Sequence, residues 1–366
     1  VAATVTAPLP PEDGGGPGGP DDPGGTVQPP PAEGEDAPRR VKASIGPDDH
    51  VFRLLARAGG FTVLAVMSLV GVFLTYQAWQ ALQVAGWSFF TTSEWNPDSG
   101  VFGIAAVLTG TVLIALVAVV IAVPLAVGTA LYISEYAPRG LRRTLVSLVD
   151  LMAAVPSVVY GIWGLFLLQP ELLVVGPQGD GLPRWLATYA GWIPIFRVDG
   201  FDPRDPIAAG TALTSSTFIA GIVVAMMVTP IACSVMREVF SQAPAGEREG
   251  AYALGATKWG MIRTVVLPFG TGGIIGGTML GLGRALGETI GVYLIISPVF
   301  EIQTHILENG ANSVSALIAL RYGEASPFAI SALMAAGLAL FLMTLAVNFV
   351  ASSIIARSRS GAASDA

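Results

Sequence analysis

Charge is the first shortage. Only 12% of the 366 residues are Asp, Glu, Lys or Arg, roughly half the share in a soluble domain. Cysteine is the second. Cys233 stands alone, which excludes an intrachain disulfide framework and a cysteine zinc cluster. Histidine is the third. His50 and His305 are the only two, and neither stands beside a serine and an acid in a nucleophile–base pattern. No G-x-x-x-x-G-K-[ST] phosphate loop occurs anywhere in the chain. These absences argue against an enzyme. The expectation is a protein with no catalytic residue, no cofactor and no bound metal. The net charge of −7 also makes nucleic acid a poor partner.

What the chain does have is apolar length. Hydrophobic residues make up 52% of it and the mean hydropathy is +0.64, so the class is a membrane protein. Crossing the hydrocarbon takes about 20 apolar residues in a helix. Six stretches qualify: 61–84, 102–132, 145–169, 208–235, 265–298 and 327–354. The expected fold is therefore all-alpha and polytopic, with six transmembrane helices in a domain covering 60–355. Pro124, Pro156 and Pro230 lie in or near spans. They read as packing kinks, which neighbouring helices can satisfy.

The first 59 residues are Gly-, Pro- and acid-rich, as in "PEDGGGPGGPDDPGG". Such a composition buries too little apolar surface to offset ordering, and a disordered N-terminal tail is expected over 1–59. A regulatory docking role and a dispensable extension both fit it. Residues 356–366 read as a short C-terminal tail.

Basic residues set the orientation. Arg139, Arg142 and Arg143 fall between spans two and three, and Arg237, Arg248, Lys258 and Arg263 between four and five. Arg53 and Arg57 precede span one, and Arg357 and Arg359 follow span six. With alternating spans all of these share one side, so both termini are expected in the cytoplasm. The opposite side is acidic and carries two longer segments. One, 170–206, holds Trp185, Trp192 and Phe196 and reads as a lid or docking surface. The other includes "SVSALIALRYGEA", a short amphipathic helix by pattern.

Span five contains "GLGRALGETIG", with Arg284 and Glu288 the only charges between Val265 and Phe300. At i and i+4 on one helix they would share a face. Gly277 and Gly281 lie on nearly the same face, and Gly283, Gly287 and Gly291 form a second row suited to close packing. Ionised groups in a span are costly and face a path or a partner. Two readings stay open. The pair is a structural clamp, or Arg284 offers its forked donors to a tetrahedral oxyanion. In the second reading Glu288 positions Arg284 and accepts a proton-bearing phosphate oxygen, while repelling sulfate. Ser215 and Thr217 in span four, and Ser157 and Tyr160 in span three, are hydroxyls that would line such a path or bond to their own backbone. Asp150, near the start of span three, reads as structural.

Between spans four and five, residues 243–259 are too polar for a span and too apolar for free coil. A short surface helix followed by a bend at Gly255 fits them. A lever and a simple interfacial anchor are equally compatible with the composition.

At this loop the chain resembles a known family. Glu249-Gly250-Ala251, then Gly255, then Val265-Val266-Leu267-Pro268 is similar to the E-A-A, G, I-x-L-P loop of bacterial ABC importer permeases, at the same spacing. Gly250 and Val265 are the two departures. "SEYAPRGLRRTL", "AAVPSVVYGIWGLF" and "GLGRALGETIGV" further resemble the phosphate-specific branch, its PstC type before its sister PstA type. The resemblance implies an ABC importer permease fold. It makes 243–259 a cytoplasmic coupling helix, with Glu249, Gly250, Ala251, Leu254 and Gly255 at an ATPase contact. The implied partners are an ATP-binding cassette ATPase (PstB-like), a second permease subunit (PstA-like), an extracytoplasmic phosphate-binding protein (PstS-like), inorganic phosphate and the bilayer of a bacterial inner membrane. A permease for another oxyanion and a secondary phosphate transporter are the alternatives. The second would usually show repeats around a midplane site.

Overall fold

The computed structural model describes residues 47–173, 181–202 and 212–359. Contacts divide the chain into Val1–Gly59 and Gly60–Ala366. Of the first unit only 47–59 is described, and it is helical, as the start of α1 (Pro47–Ala85). The helix of span one runs back through "VFRLLARAGG", into the segment expected as tail. The expectations for 1–46 and 360–366, and for parts of the 170–206 segment, lie outside the described residues.

The second unit is helical, with one small hairpin, β1 (Trp95–Asn96) on β2 (Val101–Phe102). Its helices are α2 (Ala105–Leu131), α3 (Arg139–Ala154), α4 (Ser157–Trp163), α5 (Leu182–Tyr189), α6 (Thr217–Ser241), α7 (Ala245–Ala253), α8 (Lys258–Met261), α9 (Leu267–Gly287), α10 (Ile290–Tyr293), α11 (Val314–Arg321) and α12 (Pro327–Arg359). Five helices are long and apolar enough to cross a membrane, or six with one bent pair counted as a span. The multi-pass reading thus holds among the described residues.

Two spans depart from the sequence expectation. The third is two helices: α3 and the helix starting at Ser157 meet at 91°. Pro156 removes a backbone donor and pushes Val155 out of the helical region, to φ −65° and ψ 129°. Tyr160 closes the corner by donating its hydroxyl to the Met152 carbonyl at 2.9 Å. The fifth span stops at Gly287. Glu288 is extended, at φ −67° and ψ 128°, and the chain restarts as α10.

The core is the seam of α2, α6 and α9. Small residues let the backbones approach, since helices in lipid associate by close packing. On α9, Gly277 faces the Ala232 carbonyl and the Met236 side chain, and Gly281 faces Val228. This corrects the expected assignment at Gly277, Gly281 and Gly287, while Gly291 packs against Gly161 as expected of its row. Gly277 and Gly281 form the packed seam, whereas Gly287 faces open space. A Cβ at Gly281 would stand 2.5 Å from Val228 Cγ1, an overlap worth about 1–3 kcal/mol of overpacking. Gly281→Val should therefore lower the melting temperature of the purified protein, while Gly287→Ala leaves it in place.

On the acidic side, α5 and residues 193–201 pack over Leu213, Phe218, Ile306 and Leu307. A polar latch fastens this cover. Glu308 Oε1 accepts from the Asp199 backbone N–H at 2.8 Å and lies 3.1 Å from His305 Nδ1. Trp185 and Trp192 stay exposed, while Phe196 packs into the cover. The "SVSALIALR" helix forms as α11, with the Ser313 hydroxyl accepting from the Ala316 N–H. Its first turn is buried rather than lying on the surface.

Candidate functional site

Arg284 and Glu288 do not pair. The helix ends between them, and no ion pair or hydrogen bond joins them among the described residues. Arg284 sits in the last turn of α9, where a cation complements the helix dipole. It is exposed and lines a groove of about 630 Å³ between α9 and α12. Gly283, Gly287, Thr344 and Asn348 share that groove with Ile231, Met279 and Leu340. Its guanidinium has no partner among the described residues, so all five N–H donors are available.

Glu288 is buried, with 8% of its surface exposed. Its Oε1 accepts from the Gly291 N–H at 3.1 Å, in the first turn of α10. Its carbonyl accepts from the Ser315 hydroxyl at 2.7 Å. The carboxylate thus fixes the break that ends α9 one turn beyond Arg284. The shared-face reading of the two charges rested on an unbroken helix and is overturned.

The other expected path residues separate in the same way. Tyr160 is buried in the core with Ala285 and Leu286, its hydroxyl used at the corner. Ser157 is half-buried at the start of α4. Ser215 has φ 51° in the turn before α6, and its carbonyl accepts from the Gly310 N–H. Thr217 is buried at the first position of α6. None of these four lines the Arg284 groove. Thr344 and Asn348, one turn apart on α12, do. Sequence reading missed them; a threonine and an asparagine at i and i+4 in an otherwise apolar span were the available signal.

The second site is the loop between α6 and α9. α7 runs Ala245–Ala253 and ends at Leu254. Gly255 then takes φ +83°, a left-handed turn that only glycine adopts without strain. The Thr257 hydroxyl accepts from the Gly260 N–H and starts α8. Ala251 packs inward against the core of α2, α3 and α6, while Glu249, Gly250, Tyr252 and Leu254 face out. Leu254 is 91% exposed, with Trp259 and Tyr252 also open. A Cβ at Gly250 would meet nothing within 4 Å, so the departure from alanine there leaves the packing unchanged.

Arg248 faces the other way. Its Nη2 donates to the Phe240 carbonyl at 2.7 Å, and its Nη1 to Glu135 Oε2 at 3.3 Å. Lys258 Nζ lies 4.6 Å from the centre of the Tyr136 ring, a cation–π contact. Arg237 and Asp150, from α6 and α3, approach to 3.7 Å nearby; Asp150 stands near the C-terminal end of α3, not at a helix N-terminus as expected. The three metal-ligating side chains that do cluster, Asp199, His305 and Glu308, belong to the latch.

Comparison with known proteins agrees with this architecture. The family model described as "Binding-protein-dependent transport system inner membrane component" matches residues 122–360. The phosphate transport system permease protein PstC of Xylella fastidiosa (strain 9a5c) is 38% identical over 309 residues, covering 84% of this chain and 91% of its own. PstC 2 of Mycobacterium tuberculosis is 38% identical over 310 residues, with the same coverage. Among solved structures, a bacterial alginate ABC transporter in complex with an alginate pentasaccharide-bound periplasmic protein matches 85% of this chain and 96% of its own. The TM-score there is 0.55 and the identity 16%, a likeness of fold.

Proposed function

The chain belongs to the binding-protein-dependent transport system inner membrane component family, as a non-catalytic permease subunit of an ABC importer, and on that premise we propose that it forms half of a path for inorganic phosphate. Arg284 is the observation that carries this reading: a guanidinium without a partner among the described residues, in an open groove of an otherwise apolar helix bundle. Its forked donors suit a phosphate bidentately. The PstC names of its relatives supply the substrate. Glu288 acts here as a positioning residue that holds the end of α9, not as a contact to the anion.

The groove opens at the side of a single chain, so a second, PstA-like permease would close it. The exposed face of α1, which forms a larger groove of about 1400 Å³ with α12, supports a partner subunit as well as lipid. The basic residues of the α2–α3 and α6–α9 connections support a cytoplasmic position for that end. An ATPase subunit would grip Leu254 there, and a phosphate-binding protein would dock on the acidic side.

The test is hydrolysis by the purified complex. ATP turnover should rise when phosphate-loaded binding protein is added and not with sulfate. No stimulation by phosphate-loaded binding protein, with stimulation by another loaded anion, would leave the importer reading standing and remove phosphate as its substrate.

A further inference from the structure

Arg248 and Glu135 lie 113 residues apart in the chain and meet where the coupling loop touches the end of α2. Glu135 belongs to the short turn Tyr132–Tyr136 that finishes α2. Its side chain is 5% exposed and that of Arg248 is 22% exposed. Burying such a pair is a weak route to stability, because desolvation offsets the attraction. Its position needs another explanation.

Three observations supply one. First, the arginine ties three elements at one point: its own α7, the last turn of α6 through the Phe240 carbonyl, and the end of α2 through Glu135. Second, the neighbouring contact repeats the connection. Lys258, at the start of α8, lies over Tyr136, so both arms of the loop hold two consecutive residues at the end of α2. Third, the pair is not fully engaged. Nη2 comes within 3.1 Å of Oε1, yet Glu135 Oε1 and Arg248 Nε are buried without a hydrogen bond. A guanidinium and a carboxylate can close as a two-bond fork. The second arm of the fork is therefore close in distance but not aligned as a hydrogen bond.

We propose that Glu135 and Arg248 are the transmission contact between the coupling loop and the membrane helices. A small rotation of α7 completes the fork and moves the end of α2 with it. Because α2 packs along α6 and against α9, the displacement reaches the helix that carries Arg284. This inference rests on the reading of α7 as the ATPase-docking segment.

The experiment uses the full complex in vesicles. The double variant Glu135→Leu with Arg248→Met removes both charges together, so neither is left buried alone, and replaces them with apolar groups of similar reach. It should still fold and retain the ATPase subunit, with any fall in melting temperature no larger than that of Arg248→Met alone, which also loses the bond to the Phe240 carbonyl. Phosphate uptake per ATP hydrolysed should fall about tenfold, within the usual span of coupling between sites. Arg248→Lys keeps a charge without the fork and should show a smaller loss at unchanged stability. Wild-type uptake per ATP in the double variant would overturn the proposal. So would failure of that variant to fold or to hold the ATPase subunit, because the pair would then be a staple. The underlying docking reading fails differently: the ATPase subunit would stay bound when Leu254 is replaced by Asp.

Discussion

Replacing Arg284 by lysine is expected to cut phosphate uptake by about tenfold or more, at least ~1.4 kcal/mol on the barrier, while the complex still assembles. Lysine keeps the positive charge at the end of α9 and its favourable place in the helix dipole. It loses the planar fork that matches two phosphate oxygens at once. Folding is not at stake, because Arg284 is exposed and has no partner among the described residues. Removing the Arg284 guanidinium does not strand the buried Glu288 carboxylate, because the two do not pair. Glu288 is held by the Gly291 N–H and by its own break. Glu288→Gln retains an oxygen that can accept from Gly291, so its effect on phosphate flux should be small. Uptake by labelled phosphate in vesicles, at matched expression, reads both. Near-normal flux in Arg284→Lys would remove Arg284 from the path.

Leu254→Asp should abolish binding of the ATPase subunit. The side chain is 91% exposed, so the substitution disturbs no packing within the chain. In the complex, an unpaired carboxylate would enter an apolar contact, and truncating or charging such an anchor costs at least about 2 kcal/mol of binding. Co-purification measures it: the permease pair should be recovered without the ATPase, and ATP-driven uptake should be lost. Full recovery of the ATPase with Leu254→Asp would place the docking surface elsewhere.

The sequence carried the multi-pass class and the glycine bend at Gly255, because each is written in local composition or φ preference. It misread the neighbourhood of Arg284. The i, i+4 spacing of Arg284 and Glu288 implies a shared face only if the helix continues. The break at Glu288 is held by Ser315 and closed by the contact of Gly291 with Gly161, both distant in sequence. The packing of Gly277 and Gly281, and the open face at Gly287, were hidden for a similar reason. Which row packs is decided by where Val228 and Met236 stand on α6. Pro156 announced a bend, but a right-angle corner depends on Tyr160 reaching back to Met152. The Glu135–Arg248 contact was invisible locally, since its halves belong to different loops.

The central claim is that this chain moves phosphate only when an ATPase acts on its coupling loop. The most direct measurement places the full complex in sealed vesicles with ATP on the side of α7 and phosphate-loaded binding protein on the other. The account predicts accumulation of phosphate against its gradient only while ATP is hydrolysed, and none with an ion gradient alone. Accumulation driven by an ion gradient in the absence of ATP and of the ATPase subunit would contradict it.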